Sequence, residues 1–150
     1  MKIFKKTAIF MGIFAAFCAA NLQAAISLGK DVSALPDEAE AFLKDNFAAA
    51  VKEVKYEKRL LRGKAYFACL ENGVEIKFDK NGKWKEISSA AKDLPSSLLP
   101  KALAEVLDKK EPGAKIAKIE RKGYGYRLEL ADNVEILLYD DLRLIKSKKN

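Results

Sequence analysis

The 150-residue chain contains no histidine. That removes the commonest general base and the commonest transition-metal ligand together. Cysteine occurs twice, at Cys18 and Cys69, and tryptophan once, at Trp84. The serines have no base at a recognisable spacing. Ser89 and Lys92 match a Ser-x-x-Lys pattern, but they sit in a linker, where nothing assembles the rest of a nucleophilic site. Asp140 and Asp141 are adjacent, so on a strand they face opposite ways and serve better to open a turn. Asp79-Lys80-Asn81-Gly82 begins like a calcium loop, yet Lys83 and Trp84 stand where further oxygen ligands belong. Charge is not one-sided either: 28 basic residues face 21 acids, for a formal +7. So even a spread does not read as a nucleic-acid surface. No enzyme class, cofactor or metal is called for by these residues.

Long apolar runs are also missing. The longest, residues 7–20, is about 14 residues, against the roughly 20 that a membrane-spanning helix needs. It follows Lys2, Lys5 and Lys6 and ends in small residues, which is the pattern of a secretory signal peptide over residues 1–24. Phe17 precedes Cys18, where a lipoprotein signal needs a small residue, so Cys18 is expected to leave with the leader. The leader holds three lysines and no acids, so the expected mature chain carries +4. It keeps one cysteine, Cys69, and can form no internal disulfide. About 126 residues bury enough surface to fold without a disulfide or metal. The expected location is periplasmic or secreted, with no membrane span after cleavage.

What the chain does have is internal repetition. Tyr66-Phe67-Ala68-Cys69-Leu70-Glu71-Asn72-Gly73-Val74-Glu75-Ile76 returns 60 residues later as Tyr126-Arg127-Leu128-Glu129-Leu130-Ala131-Asp132-Asn133-Val134-Glu135-Ile136. Upstream, Lys52, Lys55, Tyr56, Glu57 and Lys58 match Lys115, Lys118, Ile119, Glu120 and Arg121 at a spacing of 63. A Leu-Pro step and a helical pattern precede each copy. Pro36, Asp37 and Glu38 suit the start of a helix ending near residue 49. Leu98, Ala102, Leu103, Val106 and Leu107 form the apolar stripe of a second helix, which Glu111-Pro112-Gly113 ends. Strands are expected over residues 51–58, 65–71, 74–78 and 83–87, then 115–122, 124–131, 134–139 and 143–146. Alternation puts Tyr66, Ala68, Leu70, Val74, Ile76 and Phe78 on one face, with Tyr126, Leu128, Leu130, Val134, Ile136 and Leu138. That face is the natural floor for the helices.

The Leu35-Pro36 helix start, the signal-like leader and the strand end Phe78-Asp79-Lys80-Asn81-Gly82-Lys83-Trp84 resemble the PepSY-like secreted proteins. Their architecture is similar to that of the beta-lactamase inhibitory protein. The resemblance spans residues 35–146. It weakens in the second copy, where Tyr139-Asp140-Asp141-Leu142-Arg143 lacks the turn glycine. It implies an α+β fold of two tandem repeats, each a helix packed on one face of an antiparallel sheet of three to four strands. On this reading the segments are residues 25–34, a first repeat 35–88, a linker 89–93 and a second repeat 94–147. It also implies a non-enzymatic binding protein that grips a protein or peptide of the envelope, as inhibitor or adaptor, with one sheet face. The face opposite the helices then supplies Phe67, Lys77, Trp84, Arg127, Leu137 and Tyr139 as candidate contacts, with nearby lysines steering an acidic partner. Trp84 fits a second place equally well, as a cap on the core at the sheet's end. The alternative is a carrier that holds a small molecule or envelope lipid between helices and sheet.

Overall fold

The computed structural model describes residues 25–59, 61 and 63–148. The signal-peptide reading of residues 1–24 lies outside them. Nine strands follow in order: β1 Ile26–Ser27, β2 Val51–Arg59, β3 Gly63–Leu70, β4 Val74–Phe78, β5 Trp84–Ser89, β6 Ile116–Lys122, β7 Gly125–Leu130, β8 Val134–Tyr139 and β9 Leu144–Lys148. Helix α1, Asp37–Asn46, lies between β1 and β2, and α2, Lys101–Lys110, between β5 and β6. Both helices start directly after a proline, Pro36 or Pro100, whose missing N–H costs nothing there. A short 3-10 turn, Ser96–Leu98, precedes α2, and Glu111 closes it.

The expected pair of separate helix-on-sheet repeats is overturned. All nine strands form one antiparallel sheet in sequence order. β5 and β6 join what were expected to be two sheets, with Glu86 facing Glu120, Ile87 facing Ile119 and Ser88 facing Lys118. The physical reason is the strand edge: ending the first sheet at β5 leaves a row of backbone donors and acceptors open, and β6 satisfies it. One apolar cluster runs through the whole molecule, from Val54 and Phe78 to Leu128 and Leu138.

The core lies on the face assigned by alternation. Ile76, Phe78, Ile87, Ile119, Leu128, Ile136 and Leu138 are essentially sealed from solvent. Ala39 and Leu43 of α1, and Leu103 and Leu107 of α2, cover them. The layer between helices and sheet is thus filled with side chains. Gly82 lets the β4–β5 turn press against α1: a Cβ there would stand 2.9 Å from the Ala39 nitrogen, and its φ is +86°.

Pairing also corrects the upstream match. Glu53 faces Cys69 and Lys118 faces Glu129, while Lys55 faces Phe67 and Glu120 faces Arg127. The structural spacing between β2 and β6 is therefore 65, not 63. A slip of two leaves every side chain on its predicted face, so the error left the face assignment intact.

Candidate functional site

The sheet face turned away from the helices is built of continuous cross-strand rows. One row runs Lys55, Phe67, Lys77, Glu86, Glu120, Arg127, Leu137, Ile145 across eight strands. The next runs Glu53, Cys69, Glu75, Ser88, Lys118, Glu129, Glu135, Ser147. Directly opposed side chains in such rows sit close enough to interact pairwise.

Four of the predicted contacts share the first row. Phe67 faces Lys77, and Arg127 faces Leu137. Phe67 is nonetheless only 5% exposed, so it is part of the floor rather than a protruding anchor. Tyr139 lies two residues beyond Leu137 on the same face. Its ring packs 5.0 Å from Tyr124, and the Arg143 guanidinium lies 4.5 Å above it.

Trp84 takes the second of its two expected places, the cap on the core, rather than the contact surface. Lys77 faces Glu86 while Phe78 faces Trp84, so Lys85 is an extra residue in β5. This β-bulge reverses the alternation beyond it and turns Trp84 to the helix side. There it is buried, with ring centroids 6.0 Å from both Phe42 of α1 and Tyr126. Trp84 is a core residue.

The centre of the open face is an ion network that the sequence reading left as a solvated mixed-charge surface. Arg127 donates to Glu135 at 2.6 Å and lies 3.5 Å from Glu120 and 3.9 Å from Glu129. Lys118 bridges Glu86 at 3.1 Å and Glu120 at 3.0 Å, and Lys122 reaches Glu120 at 3.2 Å. Burial alone would raise the Glu120 carboxyl, but hydrogen bonds and charge from Lys118 and Lys122 outweigh it and hold the pKa below the ordinary range. Burial likewise works to discharge Lys118, and Glu86 and Glu120 together win, raising its pKa. The Glu135 hydrogen bond leads in holding the proton on Arg127. The signal for this network was the cross-strand register, which brings together charges far apart in sequence.

The sign of the face differs from expectation too. Strand by strand it carries Glu53, Lys55 and Glu57, then Glu75 and Lys77, Glu86, then Lys118, Glu120 and Lys122, Arg127 and Glu129, and Glu135. Among the residues whose side chains are described, seven glutamates oppose five cations, for a formal charge of −2. The lysines do not dominate it.

The turn carboxylates are engaged internally. Asp79 Oδ1 accepts the N–H groups of Asn81 and Lys83 at 2.9 and 3.0 Å. Asp141 accepts the backbone N–H of Arg143 and its Nε, the latter at 2.7 Å. Among the described residues no three metal-ligating side chains converge, and no helix is long and apolar enough to cross a membrane. Cys69 is buried and not disulfide-bonded.

A meandering sheet covered by helices on one side and carrying a charged, uncovered row system on the other defines a one-sided scaffold. The chain belongs to the PepSY-like family: the model described as "Putative beta-lactamase-inhibitor-like, PepSY-like" matches residues 64–146. That stretch runs from β3 to β9 without a break, across the β5–β6 junction. Three solved structures share the fold. A "putative periplasmic protein from DUF2874 family" from Bacteroides vulgatus is 27% identical, with a TM-score of 0.73 over 84% of this chain and 98% of its own. A "putative calcium-regulated periplasmic protein" from Bacteroides thetaiotaomicron is 28% identical, with a TM-score of 0.74 over 83% and 97%. A "putative periplasmic protein of unknown function" from Bacteroides vulgatus is 30% identical, with a TM-score of 0.71 over 81% and 98%. No curated protein gives a significant match.

Proposed function

We propose that this is a non-enzymatic protein of the periplasm that binds a protein or peptide through the sheet face opposite the helices. The observation that carries the reading is the uncovered row from Lys77 through Glu86, Glu120 and Arg127 to Leu137 and Ile145. Both helices pack on the other side, so neither of them covers the row. Leu137 and Ile145 at its β9 end, with Tyr139 and Tyr124 beside them, supply apolar and aromatic contact area. Such groups carry most of the energy at protein interfaces. The acid excess of the face favours a partner presenting lysine or arginine, and charge complementarity of this kind sets encounter rate and register more than affinity.

The periplasmic location is supported by the leader-like first 24 residues and by the three similar structures, each of a protein described as periplasmic. The non-enzymatic reading rests on the missing histidine and on charges that neutralise one another instead of converging on a reacting centre. The carrier alternative gains nothing from a helix–sheet layer filled with side chains. One relative is named calcium-regulated. In this chain the turn carboxylates Asp79 and Asp141 are already capped by backbone N–H groups and by cations, so millimolar calcium is expected to leave the melting temperature unchanged.

The test is a crosslinked pull-down of the tagged protein from its own cell envelope, run beside Leu137→Ser and Tyr139→Ser. One dominant envelope protein recovered with the native chain and lost with both variants is the expected result. Equal recovery with the variants would show the face to be wrong, and recovery of the bait alone would sink the protein-partner reading.

A further inference from the structure

A second feature lies away from the open face, at the end of the sheet where the β6–β7 turn meets the end of β8. It is an open cleft of about 320 Å³ lined by Lys85, Arg121 and Lys122, with Asp140 as its one carboxylate. The cleft therefore carries a formal +2. Gly123 and Gly125 form part of its wall and Tyr126 another part. Gly125 sits at φ +140°, and a Cβ there would run into the Leu138 carbonyl oxygen and stand 3.1 Å from the Asp140 nitrogen. No side chain can grow into the cleft at that point.

The three cations are not equivalent. Lys122 shares Glu120 at 3.2 Å, and Lys85 has only a long 3.8 Å approach to Asp79. Arg121 makes no ion pair among the described residues. Its guanidinium instead lies over the Trp84 ring, 4.5 Å from the centroid, a cation–π contact that uses none of its N–H donors. A guanidinium so placed keeps paired donors that match two oxygens of one oxyanion. A concave site with a net positive lining against an aromatic wall also focuses the field on such a ligand.

We propose that this cleft is a binding site for an oxyanion group, a carboxylate or a phosphate, held bidentately by Arg121 with Lys85 and Lys122 around it. The bulge at Lys85 serves this site as well: the extra residue turns Trp84 inward as the platform and brings Lys85 to the rim. Lys122 is shared with the open face, but Arg121 and Lys85 are not, so Arg121→Gln tests the cleft without touching the proposed partner face.

Trp84 is the only tryptophan of the chain, and it lies directly beneath Arg121, so its emission reports this site. The experiment titrates the folded protein with inorganic phosphate and, separately, with succinate, at ionic strength matched by sodium chloride. A saturable change in Trp84 emission with one of the two is expected, and the more effective one identifies the ligand chemistry. Backbone amide shifts of Gly123 and Gly125 should follow the same curve. Arg121→Gln, an exposed substitution checked for fold by circular dichroism, should raise Kd about tenfold or more, and Lys122→Gln by less. A response that chloride reproduces overturns the proposal. So does a binding curve, read on the glycine amides, that Arg121→Gln leaves unchanged, or no saturable response to either probe.

Discussion

The two faces of this sheet are woven from the same strands, yet they are held together by different physics. Ile136 and Leu137 are neighbours on β8: one is fully buried under the helices, the other half-buried among charges. The helix side is an unbroken apolar cluster, in which tight packing and removal from water stabilise the fold. The far side is a lattice of glutamate, lysine and arginine, whose ion pairs offset a desolvation cost more than they add stability. One face is built to exclude water, and the other to pair its charges with one another.

The sharpest way to break the comparison is to truncate the two β8 neighbours separately. Ile136→Ala should cost about 3 kcal/mol, lost transfer energy plus a cavity, while Leu137→Ala should cost less than about 1 kcal/mol. Urea unfolding of both variants measures the difference. Equal costs would mean that the open face is a second core.

The ion network should give a smaller and pH-dependent effect. Arg127→Met leaves Glu120, Glu129 and Glu135 without their shared cation. At pH 7 this should cost about 1–2 kcal/mol, with solvent screening of a partly exposed group limiting it. The carboxyl of Glu120 ionises more readily in the folded state. Its stabilisation is therefore complete above the unfolded value of about 4.3 and is lost as pH falls through the lower folded value. Lys118, with its pKa raised, contributes fully below about 10.4 and loses its contribution as pH climbs through the higher folded value. Stability should be flat between these limits. Glu120→Gln should lower the urea midpoint at pH 7, and the gap to the native chain should close only as pH falls through the lower folded value, where the native carboxyl takes up its proton. A gap that stayed constant with pH would assign the loss to packing.

Why the helix side was legible in the sequence and the open side was not follows from the range of each signal. Alternation in β3, β4, β7 and β8 is local, and it placed Ile76, Phe78, Leu128 and Ile136 on the correct face without knowledge of any partner strand. The Pro36 and Pro100 helix starts are equally local. The joining of β5 to β6 is not: nothing within residues 84–89 says which strand will complete that edge. The Arg127 network needs two registers at once, β6 on β7 and β7 on β8, and the spacing of 63 was two residues out. Trp84 stood between a contact and a core cap for a smaller cause. A single extra residue, Lys85, turns it to the core.

The finest comparison sets the two end turns of the sheet side by side. In the β4–β5 turn the N–H of Gly82 bonds to the Asp79 carbonyl at 3.0 Å, and in the β8–β9 turn the N–H of Leu142 bonds to the Tyr139 carbonyl at 2.9 Å. The glycine sits at φ +86° and the leucine at φ +72°. Glycine adopts that conformation freely, whereas a side chain there costs about 1 kcal/mol or more. Leu142 is 47% exposed, so little packing offsets the strain. Leu142→Gly should therefore stabilise the protein, by up to about 1 kcal/mol after the entropy that glycine adds to the unfolded chain. Calorimetric melting would read this as a rise of a few degrees. A fall instead would mean that the Leu142 side chain is held by contacts worth more than the strain, and that the β9 end of the open face is apolar by requirement of the fold rather than free for a partner.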